Sequence, residues 1–154
     1  MEPVWPFTQI LTRVEAVFAH GKIEEEEKAE LAEIMRSICG GDELASDAIE
    51  TYSSQLPLDS PMPDIILQGS EFVMTGRFAH GTRAKVAECI LSRNGTVKDG
   101  FPSADTRYLV IGTFASRDWY NTSYGRKIER AVELRNGGKN IAIISEEHWK
   151  KFIL

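Results

Sequence analysis

Three short apolar runs constrain this chain more than any other feature: Phe72-Val73-Met74-Thr75, Tyr108-Leu109-Val110-Ile111 and Ile141-Ala142-Ile143-Ile144. Each is too short for a helix and rich in β-favouring side chains, and the last two are apolar at consecutive positions, as strands buried on both faces are. Helical patterns lie between them. Thr82 is placed to cap a helix over 83–93 that turns Val86, Cys89 and Ile90 inward. A second helix, over about 124–135, puts Ile128, Ala131, Val132 and Leu134 on its core side, and Asn136-Gly137-Gly138 ends it. Asn94-Gly95 turns the chain into a short strand, Thr96-Val97-Lys98. Ser145 caps a last helix from Glu146 to about Phe152, with an acidic first turn. Doubly apolar strands alternating with helices specify an α/β fold, a parallel sheet covered on both faces.

The N-terminal part has a different pattern. Residues 1–56 form an acidic helical segment: Phe7, Ile10, Leu11, Val14, Val17 and Phe18 set a helix over 7–19, and Leu31, Ile34, Met35 and Ile38 a second from about Glu24 to Cys39. Gly40-Gly41 ends that helix, and a third, with Leu44, Ala48, Ile49 and Tyr52, follows. The glutamates from Glu24 to Glu27 complement a helix dipole, and no EF-hand loop is present, so they require no metal. Ala19-His20-Gly21-Lys22-Ile23 with Glu27 resembles the inter-helix turn of TerB-type tellurite-resistance modules; from its residues alone, the segment is a helical hairpin for packing or partner binding. Pro57, Pro61 and Pro63 mark a linker over 57–67. The α/β domain occupies 68–154.

At 154 residues the chain holds one ordinary core plus a small appendage. Its net charge of −5 is unevenly divided. Residues 1–64 carry 14 Asp/Glu against 4 Lys/Arg, whereas residues 65–154 carry 9 against 14, net −10 and +5. The second half therefore carries its own basic surface, while the first half repels nucleic acid. Cys39 and Cys89 stand without a CxxC spacing and read as free thiols. With no signal peptide and no apolar run near the roughly 20 residues a span needs, the expectation is a cytoplasmic protein with no membrane partner.

The strand that ends at Thr75-Gly76 leads into a helix start at Arg83. Such a junction brings a hydroxyl, a backbone N–H and a cation to one exposed turn, which suits a phosphate. Arg126, Lys127 and Arg130 stand early in the later helix, spaced i,i+3 and i,i+4 so as to share one face. Like charges there, and cations at helix starts, are disfavoured unless an anion offsets them, or unless the face is simply solvated. Trp119 and Tyr120, in the loop before that helix, are placed either to stack on an unpaired base or to cover the sheet edge. His80 follows the Thr-Gly turn and reads as a loop residue. Catalytic readings fail on spacing. Lys98-Asp99-Gly100 lacks the spacer of the K-x-D-G adenylation signature, and Asp47 and Glu50 are one residue too far apart for D-x-E-T. The three histidines are scattered, so neither metal, cofactor nor catalysis is expected.

Taken in order, several landmarks resemble the BRCT domain, most closely the form attached to bacterial NAD-dependent DNA ligases. They are Phe72-Val73-Met74-Thr75-Gly76, Arg83, Asn94-Gly95 with Val97, and Thr106-Arg107-Tyr108-Leu109-Val110-Ile111-Gly112. The series continues through Gly125 to Leu134, then Ile143-Ile144-Ser145-Glu146 and Trp149. The resemblance covers about residues 68–154. It implies four parallel strands in the order 2-1-3-4 flanked by three helices, with Trp149 buried from the last. It also implies a non-catalytic module that binds 5′-phosphorylated DNA ends or nicks, a phosphorylated protein, or another BRCT domain. In the phosphate-binding members Thr75 and Gly76 match the strand end and Lys127 the helix lysine; Arg83 stands where a clamp-loader BRCT domain has an arginine. Arg130 replaces a lysine common in ligase-type domains, which keeps the charge and changes its geometry. Two functions stand, a phosphate reader in DNA repair or replication and a protein-interaction module, a homodimer included; a third reading makes the chain the tail of a larger repair or replication enzyme. On both, the acidic segment is a separate docking or regulatory element.

Overall fold

The computed structural model describes residues 11–15, 19, 23–39, 56–114 and 123–154. The expected turn at Gly21, the third helix at 44–52 and the loop bearing Trp119 and Tyr120 lie outside the described residues, and of the first helix residues 11–15 are described, as helix. The elements are α1 (Glu25–Cys39), β1 (Glu71–Thr75), α2 (Arg83–Leu91), β2 (Thr96–Lys98), β3 (Thr106–Ile111), α3 (Ser123–Asn136), β4 (Ala142–Ser145) and α4 (Glu146–Lys150).

The four strands form one parallel sheet in the order β2-β1-β3-β4. Period-two alternation sends successive residues to opposite faces, and both faces are covered. Phe72 and Met74 of β1 join Tyr108, Val110 and Ile144 beneath Val86 and Ile90 of α2 and Trp149 of α4. Val73, Leu109, Ile111 and Ile143 face Ile128, Ala131 and Leu134 of α3. Two helices thus cover one face and one covers the other. Phe72 and Tyr108 stack at 4.9 Å, and Trp149 is fully buried.

Capping fixes the helix starts. Thr82 accepts from Lys85 N, and Ser145, at once the last residue of β4 and the cap of α4, accepts from His148 N. Where strands run beyond the apolar runs, polar pairing carries them. Thr106 donates its hydroxyl to Glu71 at 2.7 Å while accepting from Ser103 N at 2.9 Å, so β1 and β3 begin at residues that hydropathy does not mark. α4 ends at Lys150, two residues before the expected Phe152, with Lys151 as its C-cap.

The proline-bearing stretch expected as a linker is bound along the open edge of β4. Asp59 N donates to Ile143 O at 2.9 Å, and Ile143 N donates to the Asp59 carboxylate at 2.7 Å. Arg135 holds the other carboxylate oxygen at 2.7 Å and the Pro57 carbonyl at 3.1 Å. Leu56 and Leu58 pack on the α3 side, Ile65 on the opposite side, and Tyr108 donates its hydroxyl to Asp64 O. The strap therefore closes an edge that would otherwise offer free backbone groups to another strand. Replacing Asp59 by Ala leaves Ile143 N unpaired and Arg135 with only the Pro57 carbonyl, and a loss of about 1–3 kcal/mol is expected. Thermal unfolding and faster amide exchange at Ile143 would show it; an unchanged Ile143 exchange rate would mean the strap is not what protects β4.

Candidate anion-binding site

The candidate site lies at the end of the sheet where β1 and β3 finish. Gly76 takes φ 80°, a left-handed turn that a side chain resists, and reverses the chain directly after Thr75. Arg83, in the first turn of α2, reaches back to donate to Gly76 O at 3.4 Å. Lys127 comes from α3 on the other face and donates to Met74 O at 3.2 Å, with only 9% of its surface exposed. Arg83 and Lys127, 44 positions apart in sequence, meet at one strand end.

Their electrostatics follow from that meeting. Burial pushes the Lys127 ammonium below the usual lysine range, the Arg83 guanidinium pushes it further, and Asp99 at the end of β2 pulls it partly back. Among the described residues neither Arg83 nor Lys127 has a carboxylate at salt-bridge distance. Neither α2 nor α3 has an acidic residue in its first turn. Two converging cations on two such helix starts favour an anion between them.

Two expectations require correction. Thr75 does not expose its hydroxyl: the residue is 1% exposed. β1 is an interior strand, Thr75 shares the α3-facing side with Val73, and its carbonyl is bonded to Gly112 N at 2.9 Å, so helix and loop cover it. Thr75 therefore belongs to the floor of the site, inside the fold. The basic residues of α3 also do not share one face. Lys127 turns inward, whereas Arg126 and Arg130 are exposed, and Arg130 is neutralised locally by Glu133 at 2.9 Å.

The residue that sequence reasoning missed is Glu146. It is 1% exposed and its carboxylate accepts from Ala79 N (3.0 Å), His80 N (2.7 Å), Thr113 N (2.8 Å) and Thr113 Oγ1 (2.7 Å). Four donors on one buried carboxylate tie the loop leaving β1 to the loop leaving β3, the two that frame the site. Next to this knot an antiparallel bridge joins Arg77 to Phe114, and a Cβ on Gly112 would stand 2.2 Å from Arg77 O, so only glycine fits. Glu146 and Glu147 both read as first-turn acids; the one clue was that Glu146 lies three residues before the core residue Trp149, on the same helix face. His80 packs edge-on against Trp149 at 5.6 Å, and burial, then Lys150, lowers its pKa.

The described fold is a parallel α/β sheet with two cations, Arg83 and Lys127, converging at the end of β1. The chain is similar to a portion of bacterial DNA ligases. It is 39% identical over 89 residues to a DNA ligase of Dehalococcoides mccartyi strain 195, covering 58% of this chain and 12% of that ligase. DNA ligases of two further strains match at 38% over 72 residues, covering 47% of this chain and 10% of theirs. The chain thus spans about a tenth of the length of the curated relatives it matches. No protein-family model matches it. No helix among the described residues is long and apolar enough to cross a membrane.

Because its folded pKa is lowered, Lys127 favours folding fully only above the ordinary lysine pKa, and that contribution is lost as pH falls through the folded value. At neutral pH its charge is a cost. Lys127→Met is therefore expected to keep or raise the melting temperature while abolishing anion binding, measured by calorimetry and phosphate titration. A residue with a purely structural role would instead lower the melting temperature.

Proposed function

We propose that this chain is a BRCT-type binding module of the kind carried by NAD-dependent DNA ligases, recognising phosphate at 5′ ends or nicks in DNA and performing no catalysis itself. The observation that carries this reading is the convergence of Arg83 and Lys127 at the end of β1 without a carboxylate partner among the described residues. A phosphate monoester offers several acceptor oxygens and up to two negative charges, which matches a planar guanidinium and an ammonium approaching from opposite faces of the sheet. The strand order 2-1-3-4 with its three helices supports it, as does the similarity to DNA ligases. Exposed Arg126 extends the positive surface outward, toward the next phosphates of a backbone.

A protein-interaction function, with a partner or a second copy, rests on a different observation. Ile66, Leu91 and Phe101 are at least half exposed on the α/β half. The two readings separate in one experiment: titration of nicked duplexes carrying a 5′-phosphate or a 5′-hydroxyl at two salt concentrations, with sedimentation in parallel. The phosphate reader prefers the 5′-phosphate about tenfold, roughly 1.4 kcal/mol. Lys127→Glu and Arg83→Ala remove that preference, and the affinity falls with salt. Equal binding of both duplexes contradicts the reading, and a stable dimer that ignores DNA favours the protein-binding one.

A further inference from the structure

The acidic N-terminal segment touches the basic half at a defined place. Glu27 of α1 is fully buried; one carboxylate oxygen accepts from Glu24 N at 3.2 Å and the other pairs with Lys85 Nζ of α2. Lys85 stands two residues after Arg83, about 200° around the helix, so the first turn of α2 directs one cation to the anion site and the other to the acidic segment. A second contact lies beside it. Arg13 is fully buried, donates to Glu30 at 2.7 Å, and packs so close to the β1–α2 loop that a Cβ on Gly81 would stand 3.5 Å from its Nη1. That loop is the one Glu146 fastens at Ala79 and His80.

The docking is balanced. The Glu27–Lys85 pair holds it, while Arg13 Nε and Nη1 are buried with no acceptor among the described residues, a cost set against that pair. Glu24, Glu25 and Glu26 stay exposed on the adjoining turn, so the docked segment holds negative charge beside a half whose net charge is +5. Its field reaches neighbouring groups within a Debye length of about 10 Å at 0.1 M salt.

We propose that the acidic helical segment is an electrostatic brake on the anion site, clamped to α2 by Glu27 and Lys85 and displaced by an anionic polymer that binds the basic half. The proposal rests on the phosphate-binding reading and adds its regulation. DNA and segment are linked by mutual exclusion: whatever releases one strengthens the other.

The test uses the full chain, with a nicked 5′-phosphorylated duplex as the probe. In the wild type, saturating duplex speeds amide exchange across 25–39. Glu27→Gln speeds that exchange without DNA and tightens duplex binding about threefold to tenfold at low salt, a gain that disappears at high salt. Lys85→Met also frees the segment, with a smaller gain because it removes one positive charge. If duplex leaves the exchange of 25–39 unchanged or slower, or if Glu27→Gln frees the segment without tightening binding, the brake is overturned and the phosphate reading stands. If no form binds the duplex, both fall. The wild-type exchange measurement decides the matter even where a variant misfolds.

Discussion

One buried carboxylate sets the geometry of the end of the sheet where Arg83 and Lys127 converge. Glu146 gathers two backbone N–H groups from the loop after β1 and a backbone N–H plus a hydroxyl from the loop after β3. Charge-assisted hydrogen bonds of this kind are shorter and stronger than neutral ones, and inside the fold they have no competing water. The loops are fixed in advance, and Arg83, at the start of the helix that follows one of them, is placed with little left to order. A site built this way loses less entropy when a ligand arrives.

What the fixed frame holds is electrostatically unfavourable in the absence of an anion. Lys127 is largely out of water and faces a guanidinium, and both effects disfavour its charge. Its nearest compensation is a backbone carbonyl and the more distant Asp99. Such an arrangement costs stability at neutral pH, a cost that an oxyanion between the two cations would offset. Among the described residues Arg130 and Arg135 are paired with carboxylates, Glu133 and Asp59. What distinguishes Arg83 and Lys127 is their convergence on the end of one strand from opposite faces of the sheet.

Strands β1, β3 and β4 were legible because burial on both faces leaves an apolar run, β2 from the Asn94-Gly95 turn before it, and the helix caps because Thr82 and Ser145 stand directly before helical patterns; the strand order was implied by the family resemblance alone. Arg83 and Lys127 were legible as cations at helix starts, but which face each took was not. Lys127 turns inward and Arg126 outward though they are adjacent, a choice made by the packing of Ile128 and Ala131 against the sheet. Thr75 misled because a polar residue closing a strand reads as exposed, whereas interior position and an overlying helix decide its burial. The strap at 56–66 misled for a related reason: its prolines signal a break in secondary structure, and carry no information about what the extended chain lies against. Glu146 was hidden because a carboxylate that caps loops and one that decorates a helix start are the same letter in the same place.

The most direct measurement is a structure of the chain bound to a nicked duplex carrying a 5′-phosphate. The account predicts the terminal phosphate oxygens within hydrogen-bond distance of Lys127 Nζ and the Arg83 guanidinium, at the end of β1, with Glu146 still holding both loops. A phosphate held instead on the outer face of α3 by Arg126 and Arg130, with Lys127 still turned toward Met74 O and untouched, would contradict it.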